Sequence, residues 1–188
     1  MEYKMDKLTG LYDEKSFFMN LNQEISRATR YKRPLTVLVF EVNFDCFDKT
    51  SDLRWSIGYS VFKQIGALLQ KVYRNVDILG RCEGDTFGVM LPETAPEGGR
   101  LGAERFRKAV EEYRFIGDAK NERVQLAVDG GMAFFPAHGK KARELFASAY
   151  RAMKLAQSKG GNLVEEPPEI LYEEGSDEPP LPKTARMS

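Results

Sequence analysis

The sequence predicts an α+β fold, an α/β sandwich on a βαββαβ core whose central, mostly antiparallel sheet is flanked by helices. Three observations lead there. Apolar residues recur at three- and four-residue spacing in separate helix-length segments, short apolar runs lie between those segments, and two of the runs face each other across a short polar turn. Taken in chain order, these elements give the split βαβ, ferredoxin-like arrangement, with helices packed on a sheet that contains antiparallel pairs.

Residues 14–31 carry Phe17, Phe18, Leu21, Ile25 and Ala28 on one helical face, and the apolar run 35–42 reads as a buried strand. Ile57, Val61, Ile65, Leu68 and Val72 mark a second helix. The runs 76–79 and 87–91 form a β-hairpin tipped by Glu83-Gly84-Asp85, where Gly84 takes a positive φ at little steric cost. Leu101, Phe106, Ala109, Val110 and Tyr113 mark a third helix, and 124–135 is extended. A fourth helix, 141–158, presents Leu145, Phe146, Ala149, Ala152, Met153 and Ala156. Aromatic residues on these faces belong to the core, which leaves the strand ends and the hairpin tip for chemistry.

With 188 residues and 42% apolar content the chain can bury one ordinary core. It has no apolar run of about 18 residues and no charged-then-apolar leader, so neither a membrane span nor a signal peptide is expected, and the predicted location is cytoplasmic. Cys46 and Cys82 lack metal-ligand spacing and read as free thiols of a reducing compartment. The lone His138, in a Pro-Ala-His-Gly segment, reads as a solvated loop residue. The net charge of zero conceals a split: the segment from Glu165 onward carries seven acids against Lys183 and Arg186, which leaves residues 1–164 at plus five. A mildly basic core suits a polyanionic small ligand, and no nucleic-acid partner is expected. The tail, with Pro167-Pro168 and Pro179-Pro180-Leu181-Pro182, is predicted to be disordered, either as a plain terminus or as a polyproline II stretch read by a protein partner.

Residues 74–87 read Arg-Asn-Val-Asp-Ile-Leu-Gly-Arg-Cys-Glu-Gly-Asp-Thr-Phe, an Arg-x-x-Asp pair followed by the hairpin tip. Upstream stand Asp6-Lys7-Leu8-Thr9-Gly10-Leu11, Phe17, Arg33-Pro34-Leu35 and the strand end Glu41-Val42-Asn43. Downstream stand Ala103-Glu104-Arg105-Phe106-Arg107, Gly131-Met132-Ala133 with Pro136, and Ala156-Gln157-Ser158-Lys159-Gly160-Gly161-Asn162. In this order, over about residues 5–164, the chain resembles the GGDEF domains, the diguanylate cyclase family with a nucleotidyl-cyclase-type core. The resemblance implies a degenerate GGDEF domain at 1–164 followed by an acidic tail at 165–188.

In such a family two GTP molecules meet head to tail on two domains, and a divalent metal assists attack on the α-phosphate. By resemblance the metal ligands are Glu41, one methylene longer than the family's Asp, the backbone carbonyl of Val42, and Asp85. The substrate contacts depart further. Glu83 replaces the signature's first Gly and Thr86 its second acid, so Glu83, Gly84, Asp85 and Thr86 stand as a vestigial catalytic tip. Gln157 and Gly161 stand where the family has a phosphate-binding Lys and Arg. The guanine-reading Asp becomes Tyr59 and its Asn falls near Thr50 or Ser51. No cofactor is then required, with magnesium relevant only to residual GTP binding.

The regulatory half is retained. The family's product-inhibition site, which binds cyclic di-GMP, corresponds to Arg74, Asp77 and Arg105. A guanidinium fork can donate to guanine O6 and N7, a carboxylate can accept from N1–H and the 2-amino group, and further arginines can meet phosphate oxygens. The resemblance therefore implies a catalytically impaired cyclic di-GMP receptor or signalling module, with a ligand-linked dimer as a companion expectation. The alternatives are a weak diguanylate cyclase using Glu41 and Asp85, and a ligand-free protein-interaction scaffold.

Overall fold

The computed structural model describes residues 3–43, 58–117 and 123–167. A two-residue strand, β1 (Tyr12–Asp13), leads into helix α1 (Glu14–Tyr31), which starts where the Asp13 carboxylate accepts from the Ser16 amide at 2.8 Å. It ends at Lys32, in the left-handed region with φ 54°. Strand β2 (Leu35–Asn43) follows, then helix α2 (Gly58–Val72), the hairpin strands β3 (Ile78–Glu83) and β4 (Thr86–Pro92), and helix α3 (Pro96–Glu112), which has Pro in its first turn. The short strands β5 (Phe115–Ile116) and β6 (Arg123–Val124) pair with each other. Strand β7 (Ala127–Phe135), helix α4 (Ala142–Ser158) and strand β8 (Val164–Glu165) complete the described chain.

The main sheet runs β1-β3-β4-β2-β7-β8, antiparallel through its four central strands and parallel at both edge pairs. It is the mixed sheet of an α+β, nucleotidyl-cyclase-type core. The period-2 alternation of β2 splits the core between the two faces. Val37 and Val39 pack with Phe17, Leu21, Leu145, Ala149 and Met153 beneath α1 and α4, while Leu38, Phe40 and Val42 pack with Val61, Ile65, Phe106 and Val110 beneath α2 and α3. Helix α4 lies so close to β7 that a Cβ at Gly131 would run into the Ala149 carbonyl and the Met153 amide.

Four sequence expectations need correction. The first hairpin strand begins and ends later than the run 76–79 suggests, because Val76, 68% exposed, belongs to a turn spanning residues 74–77, while β4 extends one residue beyond the run 87–91 at each end. Helix α3 starts at Pro96, and its Leu101 is 74% exposed rather than part of the core face. The extended run 124–135 is two strands, β6 and β7. His138 is buried, not solvated: its Nδ1 accepts from the Phe134 amide at 3.0 Å and its own amide donates to the Phe134 carbonyl at 2.8 Å, which closes the turn after β7. Ile57, Cys46, Thr50, Ser51 and the tail from Pro168 lie outside the described residues. Among the described residues, no helix is long and apolar enough to cross a membrane.

Candidate functional site

Two clusters of polar residues gather where the sequence places chemistry. The first is the end of β2 beside the hairpin tip. Glu41 stands directly opposite Thr86, and the Val42 amide donates to the Asp85 carbonyl at 3.3 Å, so Glu41, Val42 and Asp85 meet at one place. The hairpin ladder shifts register between Arg81 and Glu83, a bulge that turns the tip; Gly84 follows at φ 53° with open space around it, and the Glu83 side chain is exposed. Thr86, the first residue of β4, is 6% exposed.

The tip is tethered to the chain's beginning. Arg81 donates from Nε to the Gly84 carbonyl at 2.9 Å, lies over the Phe62 ring at 4.6 Å and pairs with Asp6 at 3.5 Å. Asp6 in turn accepts from the Thr9 amide at 2.9 Å and the Thr9 hydroxyl at 2.7 Å. Partial burial works against ionisation of Asp6, yet the Thr9 and Arg81 bonds together hold its carboxyl below the ordinary value. The Asp-x-Leu-Thr-Gly-Leu segment is thus a turn that holds the hairpin.

Glu41 does not face an open site. Lys154 on α4 donates to its two carboxylate oxygens at 3.0 and 2.9 Å, and Gln157, one turn further, donates to Oε1 at 2.7 Å. Lys154 also donates to the Gln157 amide oxygen at 3.0 Å, closing a three-residue ring. Partial burial would lower the Lys154 ammonium, but the Glu41 bond and charge outweigh it and hold the ammonium above its ordinary value. A hard divalent cation needs several oxygen ligands, carboxylates foremost. As they stand, these residues do not fit one, because the carboxylate that would lead the set is already spent. Among the described residues no three His, Cys, Asp or Glu side chains group as metal ligands.

Beside Glu41 across the β2–β7 ladder lies Asp129, a carboxylate only 1% exposed that sequence reasoning missed. It accepts from the Asn43 side-chain amide at 3.1 and 3.3 Å and from the Asn162 backbone amide at 2.7 Å. Asn162 then donates to Glu111 and accepts from Arg107, both at 2.8 Å, which ties the end of α4 to α3. Gly161, at φ 76°, is crowded on one side: a Cβ there would meet the Asn43 amide nitrogen and stand 2.8 Å from Asp129 Oδ1. The signal that could have found Asp129 is a single acid inside an otherwise apolar strand, since a buried carboxylate must have partners.

The second cluster sits at the corner between α2 and β3. The Asp77 carboxylate accepts from the Arg74 amide at 2.8 Å, and its own amide donates to the Arg74 carbonyl at 2.9 Å. Arg105 reaches across from α3, its guanidinium carbon 5.9 Å from the centre of the Tyr73 ring. Tyr73 is the buried hub: its hydroxyl donates to the Gly102 carbonyl at 3.1 Å, and burial pushes its phenol well above the ordinary range. Burial likewise raises the Asp77 carboxyl above its ordinary value, against the lowering effects of the Arg74 amide and the two arginine charges. The structure brings Arg74, Asp77 and Arg105 together, with both arginine side chains exposed.

Residues 3–163 match the sequence pattern of the family described as diguanylate cyclase, GGDEF domain. Diguanylate cyclase DosC of Escherichia coli K12 is 30% identical over 166 residues, covering 87% of this chain and 35% of that protein. The chain thus spans about a third of that curated relative. Among solved structures, the GGDEF domain of TpbB (YfiN) from Pseudomonas aeruginosa superposes with a TM-score of 0.79 at 22% identity, covering 88% of this chain and 95% of that one. The GGDEF domain of DgcB from Caulobacter crescentus in complex with c-di-GMP gives a TM-score of 0.73 at 18% identity, covering 88% and 95%. At these identities the structural likeness concerns the fold.

Proposed function

The chain belongs to the GGDEF diguanylate cyclase family, and from that premise we propose that it is a catalytically impaired member acting as a cyclic di-GMP receptor and signalling module through Arg74, Asp77 and Arg105. The observation that carries this reading is the gathering of the Arg74 and Arg105 charges around the Asp77 carboxylate, with two exposed guanidiniums beside a carboxylate whose backbone is fixed by a turn. The exposed forks supply donors for a guanine O6/N7 edge or a phosphate, and Asp77 supplies the acceptor for N1–H. A relative crystallised with c-di-GMP lends the ligand its identity.

Catalysis is impaired because the two nucleotide-binding cations that the resemblance implies are absent at their positions. Gln157 is neutral and bonded to Glu41, and Gly161 sits at φ 76° where a side chain would press on the Asn43 amide and the Asp129 carboxylate. Glu83 adds a negative charge where a triphosphate would approach. Occupancy of the Arg74 site is passed to a protein partner, with a ligand-bridged dimer as one form of the complex.

Isothermal titration with cyclic di-GMP, with GTP plus magnesium in parallel, tests the reading. Saturable cyclic di-GMP binding that weakens at least tenfold in Arg74→Ala is expected, corresponding to the loss of about 1.4 kcal/mol or more. Absence of binding, or unchanged affinity in Arg74→Ala, would overturn the receptor assignment, and cyclic di-GMP formed from GTP would overturn the impaired-catalysis half.

A further inference from the structure

We propose that Lys154 is an internal replacement for the divalent metal: its ammonium occupies the Glu41 position as a built-in cation, so the chain binds no divalent ion there and needs none. The inference builds on the impaired-catalysis half of the reading above and is independent of its ligand-binding half.

The geometry carries it. Lys154 lies 113 residues from Glu41 in sequence, yet donates to both of its carboxylate oxygens at 3.0 and 2.9 Å. Its third donor reaches Gln157 Oε1 at 3.0 Å, and Gln157 Nε2 returns to Glu41 Oε1 at 2.7 Å. With the Tyr150 side chain also bonded to it, the ammonium has acceptors for all three of its N–H bonds. The pair is electrically neutral, so Glu41 no longer offers an uncompensated carboxylate to a hard cation, and an ion approaching it meets a positive charge in its own place. The Glu41 side chain is 17% exposed and the Lys154 side chain 43%, so the carboxylate is the better shielded half of the pair.

The substitution is also economical in space. The glutamate, one methylene longer than aspartate, extends from the end of β2 to a lysine on the adjacent turn of α4 from Gln157. The neighbouring carboxylate, Asp129, is already satisfied by Asn43 and Asn162 and is not available to rebuild a ligand set.

Terbium luminescence and manganese paramagnetic resonance test this directly, without reference to turnover. Tyr150 serves as the sensitiser, because its ring centre lies 5.2 Å from the Lys154 ammonium and therefore close to any ion seated at Glu41. The wild-type chain is expected to give no saturable terbium signal dependent on Glu41. Lys154→Met is expected to gain one, with affinity at least about tenfold above wild type, and Lys154→Met/Glu41→Gln to lose it. Lys154→Gln serves if the methionine variant does not melt cooperatively.

A saturable wild-type signal that Glu41→Gln removes would overturn the proposal, as would a folded Lys154 variant that gains nothing. Cyclic di-GMP titration of the same samples separates the two readings. Loss of ligand binding with the terbium pattern intact would sink the receptor assignment alone, and the reverse pattern would sink the replacement of the metal alone.

Discussion

Asp77 and Arg74 hold each other's backbone: the Asp77 carboxylate accepts from the Arg74 amide at 2.8 Å and the Asp77 amide donates to the Arg74 carbonyl at 2.9 Å. The aspartate therefore has two tasks, to set the turn and to face the ligand, whereas the exposed Arg74 guanidinium has one. Asp77→Ala should lose both, costing about 1 kcal/mol of stability in urea titrations as well as ligand affinity. Asp77→Asn keeps an acceptor for the turn and should stay within about 0.5 kcal/mol of wild type, as should Arg74→Ala, while both weaken cyclic di-GMP. Equal destabilisation by Asp77→Asn and Asp77→Ala would show that the carboxylate does not set the turn.

The same burial gives the site a pH dependence. Burial raises Asp77 above its ordinary value of 3.8 despite the arginines nearby. The folded state thus retains the proton where the unfolded chain has lost it, so this contribution to stability is present below the unfolded value and is lost as pH rises through the folded one. Ligand binding runs the other way, because only the carboxylate accepts from guanine N1–H. Cyclic di-GMP affinity should rise as pH climbs above the ordinary carboxylate value through the raised Asp77 value and then level off, and binding over that rise should release protons. Calorimetry in buffers of different ionisation enthalpy reads the proton release, and Asp77→Asn should abolish it. A flat profile in the wild-type chain would remove Asp77 from the contact.

The buried Cys82 thiol offers a clean readout of opening. It is 8% exposed, it is the free cysteine among the described residues, and burial pushes its thiol far above the ordinary value, with Glu14 adding to the shift. Since only the thiolate reacts, Cys82 should be silent toward a thiol-disulfide reagent at neutral pH while the chain is folded. In a Cys46→Ser background, titration should count no reactive thiol in native buffer and one in denaturant. Prompt native reaction would mean that the β3 face beneath α1 opens readily.

Much of this architecture is legible in the sequence because it follows from periodicity. The spacing of Phe17, Leu21, Ile25 and Ala28 gives α1 over the observed bounds, and the 35–42 run gives β2 short of Asn43 alone. Periodicity fails where it must decide what an apolar residue faces: Leu101 and Val76 read as core and are exposed. It also misses the two-residue strands β1 and β8, whose pairing is set by neighbours rather than by their own pattern. The site is split in the same way. Arg74 and Asp77 are near in sequence and readable as a motif, whereas the Lys154–Glu41 pair joins β2 to α4 across the fold and carries no local signal. Asp129 lies between, readable only as an acid out of place in a buried strand.

The crowded left-handed position at Gly161 decides whether the lost nucleotide contacts could be restored by substitution. By resemblance an arginine belongs there, but the backbone sits at φ 76°, and a Cβ would press on the Asn43 amide and Asp129 Oδ1. Left-handed backbone costs a side-chain-bearing residue about 1–2 kcal/mol, and the crowding adds about 1–3 kcal/mol more. The new guanidinium could pair with Asp129 only by breaking the Asn43 and Asn162 bonds that fix the end of α4. Gly161→Arg should therefore lower stability by about 3 kcal/mol in denaturant titration without conferring GTP turnover. A Gly161→Arg chain as stable as wild type would show that the Asn43–Asp129 contact yields easily. Turnover gained in that variant would show that a missing cation, rather than the occupied Glu41, holds catalysis back.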